Sequence, residues 1–201
     1  MNIVIEISMV LFAYLLGSIP FGYILTYKYT GKNIKDFGSG NIGSTNVKRL
    51  AGSRVSIQVQ LLDMLKGLLP VGLTIILIYY EIVSDTAYIV YMVALASILG
   101  HDFSVFLKFK GGKGVNTTLG ASILFSPIPV LTGVVSYYIF KWSTKYVSLS
   151  SIILGISILI TDALIYGFGN QFLYFVICNI LIIVLHRDNI KRLLKGIEIK
   201  A

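Results

Sequence analysis

Long apolar runs separated by short polar interruptions make up most of the chain. The first, uncharged from Ile7 to Tyr27, lies within a predicted helix over Ile3 to Tyr27, and further runs cover Val55 to Tyr80 and Thr86 to Leu107. Each approaches or exceeds the roughly 20 residues that an α-helix needs to cross a hydrocarbon layer of about 30 Å. Val115 to Phe140 is also long enough for one span, but Ser126-Pro127-Ile128-Pro129 stands in its middle, and two prolines so close together break a helix. The remaining runs, Val147 to Thr161 and Gln171 to Leu185, flank a turn over Asp162 to Asn170, and a basic tail opens at His186.

Composition excludes an ordinary soluble domain: 56% of residues are apolar, only 13% are charged, and mean hydropathy is +0.83. The net charge of +8 and pI near 9.5 point to loops facing anionic headgroups, since no basic stripe interleaved with aromatics suggests nucleic acid. The first run follows Asn2 and Glu6 rather than a basic region and lacks a convincing cleavage site, so it reads as a retained membrane helix.

Charge then fixes the expected topology. Lys and Arg fall at Lys28 to Arg54, Lys108 to Lys113, Lys141 with Lys145, and Arg187 to Lys200, with Lys66 the exception, whereas the intervening turns carry Glu81, Asp85 and Asp162. If positive loops stay inside, all four clusters are cytoplasmic and an even number of crossings separates any two. The Pro127 and Pro129 break supplies the required reversal, as two short helices of about a dozen residues each. The expectation is one all-α polytopic membrane domain over residues 1–201, with seven helices, its N-terminus outside and its C-terminus cytoplasmic.

Against this background the polar stretches stand out. Phe109-Lys110-Gly111-Gly112-Lys113-Gly114-Val115-Asn116-Thr117-Thr118 combines three glycines with two lysines. Glycines let backbone N–H groups converge on an anion, lysines add charge, and a helix N-terminus after them would favour the same anion. A flexible basic turn fits equally well on this stretch alone. A second glycine-rich loop, Gly38-Ser39-Gly40-Asn41-Ile42-Gly43-Ser44-Thr45-Asn46, lies inside Lys28 to Arg54. Gly17-Ser18-Ile19-Pro20-Phe21-Gly22 breaks the first run, which favours close packing by neighbours that satisfy the freed backbone. Asp63 and Lys66 share one helix face, as an ion pair or as the wall of a polar cavity.

The topology places Ser39, Asn41, Asn46, Arg49, Lys110, Lys113, His186 and Asn189 on one face. Each alone reads as a turn residue or membrane anchor; together they form a cationic, hydrogen-bonding site where cytosol meets acyl chains. Cys178, within an apolar run, is a poor nucleophile. Nothing resembles a metal site, because no carboxylate cluster accompanies His101 or His186.

These motifs, in order, resemble the bacterial acyl-phosphate:glycerol-3-phosphate acyltransferases (PlsY-type). The similarity runs through Gly17-Ser18-Ile19-Pro20, Gly38 to Gly43 with Thr45-Asn46-Val47, Arg49, Gly52 and Asp63-Met64-Leu65-Lys66-Gly67. It continues through Gly100-His101, Phe109 to Val115, His186-Arg187-Asp188-Asn189-Ile190, Arg192-Leu193, Gly196 and Glu198. Ser44 stands where the family commonly has Ala, Ser104 where Pro is common, and Asn116 where Ala is common.

The resemblance implies acyl transfer from acyl-phosphate to the 1-position hydroxyl of glycerol 3-phosphate, giving lysophosphatidic acid and phosphate, at the cytoplasmic face of the bacterial inner membrane. It implies catalytic roles for Ser39, Arg49, His186 and Asn189, and substrate binding by Asn41, Asn46, Lys110, Gly111, Gly112, Lys113 and Gly114. Glu198 is expected to be structural, and Ser148, Ser150 or Ser151 to line the pocket. No cofactor, metal, nucleic acid or obligate protein partner is expected; the partners are acyl-phosphate, glycerol 3-phosphate and membrane lipids.

An acyl-phosphate is already activated, so orientation and charge neutralisation suffice without a covalent nucleophile. His186 is the best protein base, imidazole titrating near about 6.5, although a substrate phosphate could take the proton instead. The His and Asp five positions apart that serve the thioester-using acyltransferases are absent, Phe106 and Lys191 occupying those places after His101 and His186. The alternative is a transporter of a small phosphorylated metabolite, but the two halves show no inverted repeat. A scaffold subunit would not explain polar glycine loops recurring on one side.

Overall fold

A computed structural model describes residues 3–84 and 88–200. It is all-α among the described residues, with α1 (Ile3–Ser18), α2 (Phe21–Thr30), α3 (Ser44–Tyr79), α4 (Ile89–Asp102), α5 (Val115–Ser122), α6 (Pro127–Thr144), α7 (Val147–Tyr166), α8 (Asn170–Leu185) and α9 (Arg187–Leu194). Among the described residues four helical runs, Ile3–Thr30, Ser44–Tyr79, Ile89–Leu107 and Val147–Tyr166, are long and apolar enough to cross a membrane. A fifth passes if α8 and α9, bent by 58° at His186, count as one broken span.

Each expected helix has a counterpart, with corrections at several boundaries, and the basic tail expected after Leu185 forms α9. Pro20 divides the first into α1 and α2, because its ring and missing N–H end the ladder. The second begins at Ser44 rather than Val55, and Gly52, at φ 82° and ψ 175°, kinks it where the sequence suggested loop. The expected pair of twelve-residue helices is instead eight and eighteen residues long, since Pro127 starts α6 at a position where its missing N–H costs nothing. The α7 helix also runs through Asp162 to Tyr166. Asp85 and Thr86, expected in the turn and at the start of the third helix, lie outside the described residues.

The chain forms two compact units, Met1–Leu124 and Phe125–Ala201. In the first, α1 packs on α4 and α3 on α2, α4 and α5. Small residues set these distances: a Cβ at Gly17 would strike the Ser97 carbonyl, one at Gly100 the Tyr14 carbonyl, and one at Gly120 the Met64 carbonyl. Such backbone contact gives membrane helices packing that burial of apolar surface cannot supply in lipid. In the second unit α6 packs on α7, and α7 on α8 and α9. Buried Asp162 of α7 accepts from Ser126 at the start of α6 and from Gln171 of α8, which ties three helix ends together.

Candidate active site

The first glycine loop is built around one amide. Asn46, in the first turn of α3 and 2% exposed, donates from Nδ2 to the Phe37 and Asn41 carbonyls at 2.9 and 3.0 Å and more weakly to that of Ile34 at 3.4 Å. Its Oδ1 accepts from the Ser39 backbone N–H at 3.2 Å. One buried side chain thus supplies the hydrogen bonds a strand or helix would otherwise give the loop. Gly38 and Gly40 take left-handed conformations at φ 57° and 68°, and a Cβ at Gly38 would strike Asn46 Oδ1. Asn41 closes the turn by accepting from Gly43 N–H at 2.8 Å. Ser39 is exposed on this frame. Arg49 lies beside it, its Cδ 3.9 Å from where a Gly38 Cβ would stand.

The glycine–lysine loop rests directly on the end of α4. Gly111 and Gly112 donate their N–H groups to the Asp102 and His101 carbonyls at 3.0 and 2.9 Å. A Cβ at Gly112 would enter the His101 imidazole, 2.6 Å from Cε1 and 2.7 Å from Cδ2. One at Gly114 would lie 3.0 and 3.1 Å from the Asp102 carboxylate oxygens. Lys108 and Phe109 enter the loop at φ 55° and 60°, each a strained conformation costing about 1–2 kcal/mol for a residue with a Cβ. Lys110 is exposed and Lys113 half-buried, and α5 starts at once after Gly114. Asn116 donates to Ser44 Oγ at 3.4 Å, so two departures from the family pattern meet each other. The third, Ser104, donates to the Ser18 carbonyl at 2.6 Å.

Beneath this loop lies a charged cluster. Asp63 and Lys66 form an ion pair at 3.1 Å with side chains 3% and 1% exposed. Lys66 Nζ also donates to the Ile19 carbonyl at 3.0 Å, satisfying backbone freed by Pro20. Of the two readings open for this pair, the structure shows an ion pair, with a backbone-satisfying role added. His101 Nδ1 stands 3.6 Å from Asp63 Oδ1, beyond a hydrogen bond but within electrostatic reach. Folding brings a single carboxylate, Asp63, beside His101. The charges buried in apolar runs were the visible signal; their meeting across 38 positions was not. Among the described residues no group of three or more His, Cys, Asp or Glu has the arrangement to hold a metal ion.

The second unit holds the other candidates. His186, at the α8–α9 bend and 4% exposed, has Nδ1 at 2.8 Å from the Ile182 carbonyl. A carbonyl only accepts, so Nδ1 carries the proton and the lone pair resides on Nε2, the tautomer a general base requires. Asn189 donates to Glu198 Oε1 at 2.6 Å, Ser148 to the same oxygen at 2.8 Å, and Arg192 Nε to Oε2 at 2.6 Å. Burial pushes the Glu198 carboxyl up, but these hydrogen bonds and the Arg192 charge outweigh it and hold the group below its usual range. Glu198 is therefore a structural clasp that orients Asn189. Ser150 and Ser151 donate to carbonyls of their own helix end, Tyr146 and Val147, at 2.7 and 2.9 Å.

A family model described as glycerol-3-phosphate acyltransferase matches residues 7–196. A glycerol-3-phosphate acyltransferase of Clostridium acetobutylicum is 42% identical over 197 residues, covering 97% of this chain and 99% of the relative. One of Geotalea daltonii is 45% identical over 196 residues, 96% of each. Among solved structures, the glycerol 3-phosphate form of PlsY (YgiH), an integral membrane glycerol 3-phosphate acyltransferase, superposes with TM-score 0.88 at 38% identity, covering 98% of this chain and 95% of that one. Its lysophosphatidic acid form gives 0.83 at 38%, covering 97% and 94%. With one family model spanning nearly the whole chain and a fold shared from end to end, this protein belongs to the glycerol-3-phosphate acyltransferase family and is a multi-pass membrane acyltransferase.

Proposed function

We propose that the chain transfers an acyl group from an acyl-phosphate to the 1-position hydroxyl of glycerol 3-phosphate. The acyl carbon–oxygen bond to phosphate breaks, an ester bond forms to the acceptor oxygen, and the hydroxyl proton leaves through a base. What carries this reading is that the shared fold has been solved in a glycerol 3-phosphate form and a lysophosphatidic acid form, acceptor and acylated product differing by one acyl group.

In this reading Lys110 and Lys113 hold the acceptor phosphate, on a loop whose Gly111 and Gly112 N–H groups are spent on the Asp102 and His101 carbonyls and so shape the site rather than bind the anion. Ser39 donates a hydrogen bond to the donor phosphate and Arg49 neutralises it through the planar fork that suits phosphate. Asn41 and Asn46 act by holding the first loop in shape. The roles of His186 and Asn189 rest on the family resemblance and on the His186 tautomer, which suits proton removal. The chain works as one catalytic domain in the bacterial inner membrane, its N-terminus outside and its polar loops cytoplasmic, without cofactor or metal.

The test is purified protein in sealed vesicles supplied with acyl-phosphate and glycerol 3-phosphate. Lysophosphatidic acid should form, and neither Arg49→Ala nor Ser39→Ala should make it. Vesicles that take up glycerol 3-phosphate without acylating it would establish the transporter instead. Tags on the two termini should be reached from opposite sides of the membrane, and finding them on one side would refute the orientation.

A further inference from the structure

The buried charges beneath the glycine–lysine loop form a continuous line. It starts at the carbonyl of Ile19, where Pro20 divides α1 from α2, and passes through Lys66 Nζ at 3.0 Å to Asp63 at 3.1 Å. It continues to His101 at 3.6 Å, whose imidazole occupies the space a side chain at position 112 would need. Every member is nearly inaccessible: Asp63 and Lys66 are 2% exposed and His101 is 4%. None of these side chains is exposed enough to meet a soluble substrate, and an ion pair held in apolar surroundings is a poor source of stability compared with apolar packing. Its geometry nevertheless bears on the loop, because the last member is the surface on which Gly112 lies.

We propose that Asp63, Lys66 and His101 are positioning residues for acceptor binding, a strut in which the His101 ring sets the height of the Gly111–Gly114 cradle. This rests on the reading of that loop as the glycerol 3-phosphate site. Two backbone bonds fix the cradle from below, Gly111 N–H to Asp102 and Gly112 N–H to His101, so the α4 backbone gives its register and the imidazole its elevation. The ring in turn faces Asp63 on α3 within electrostatic reach, and Asp63 is paired with Lys66, whose second partner is the Ile19 carbonyl at the α1–α2 break. The same break leads into α2, where Gly22 lies so close to the first glycine loop that a Cβ would strike the Ile42 carbonyl. The strut therefore connects the supports of both loops. It also explains two residue choices at once, a glycine at position 112 and a ring at position 101, as one steric pair.

A steric pair makes a prediction that general structural importance does not. Gly112→Ala drives a methyl into the ring, so the cradle must lift; a displacement of the order of 1 Å at a binding site costs up to about a hundredfold. The expected result is a KM for glycerol 3-phosphate raised between about ten- and a hundredfold, with kcat changed less than about threefold. His101→Ala removes the ring and should raise the same KM. Because it also makes room for the methyl, the His101→Ala, Gly112→Ala double variant should bind the acceptor no worse than His101→Ala alone. Lys66→Met, remote from substrate, should shift that KM in the same direction.

Wild type and the four variants are compared in lipid at saturating acyl-phosphate, with thermal unfolding recorded for each. His101→Asn, polar but smaller than the ring, replaces the alanine variant in both single and double forms if the latter does not survive purification. Wild-type protein that makes no lysophosphatidic acid would refute the proposed function. Active wild-type protein in which the two substitutions multiply would refute only the strut.

Discussion

Replacing Lys66 with Met isolates the cost of the charge at the centre of the first unit. The substitution keeps length and apolar bulk while removing the ammonium that pairs with Asp63 at 3.1 Å and donates to the Ile19 carbonyl. At that separation and an effective dielectric near 20, the lost attraction is about 5 kcal/mol. The Asp63 side chain, 3% exposed, would keep only His101 at 3.6 Å. Breaking a buried pair from one side costs about 3–5 kcal/mol because the remaining charge is stranded. Asp63→Leu strands the ammonium instead and should cost a similar amount.

The double variant strands neither charge. It should lose only about 1–3 kcal/mol, chiefly the Lys66 hydrogen bond to the Ile19 carbonyl, which keeps the Phe21 N–H at 3.1 Å as its other donor. Reversible unfolding of the reconstituted protein, by steric trapping or mixed-detergent titration, measures all three. The reasoning fails if the double variant loses the sum of the two singles, since that would mean Asp63 and Lys66 stabilise the fold independently.

The first loop and the C-terminal clasp yield the other predictions. Asn46→Asp preserves shape and the acceptor for Ser39 N–H but cannot donate to the Phe37 and Asn41 carbonyls, so it should cost about 1–3 kcal/mol and most of kcat; calorimetry and initial rates matching wild type would remove the staple role. Glu198, held below its ordinary value near 4.5, contributes stability that is present above that pH and is lost as pH falls through the lower folded value. Thermal unfolding of wild type should therefore fall between about pH 5 and 3 more steeply than that of Glu198→Gln, and equal slopes would contradict the assignment.

Helix positions were readable wherever an apolar run was long, because lipid imposes a minimum length that chance rarely meets. Boundaries were lost where polar residues are themselves helical. Ser44 to Ala51 carries Asn46, Lys48 and Arg49 and looks like loop, yet it forms the first turns of α3, and Gly52 marks a kink inside it. Pro127 was visible as a break but not as an N-terminal helix residue, since the same ring ends one helix and starts the next. The two glycine loops stood out from their composition alone.

Their supports did not stand out. Asn46 reads as one more polar loop residue, and only its burial with four backbone partners shows that it organises the loop. Asp63, Lys66 and His101 signalled importance by being charged or titratable within apolar runs, but a partnership between α3 and α4 leaves no periodic trace. The resemblance marked Glu198 as structural, but its partners were not legible, because Ser148, Asn189 and Arg192 come from α7 and α9.

The donor is the central claim, and stoichiometry measures it most directly. Purified protein in lipid, given glycerol 3-phosphate and either acyl-phosphate or acyl-CoA of the same chain, is assayed at once for lysophosphatidic acid and inorganic phosphate. The account predicts one phosphate released per lysophosphatidic acid formed from acyl-phosphate, and no product from acyl-CoA. Product from acyl-CoA alone, or phosphate released without lysophosphatidic acid, would contradict it.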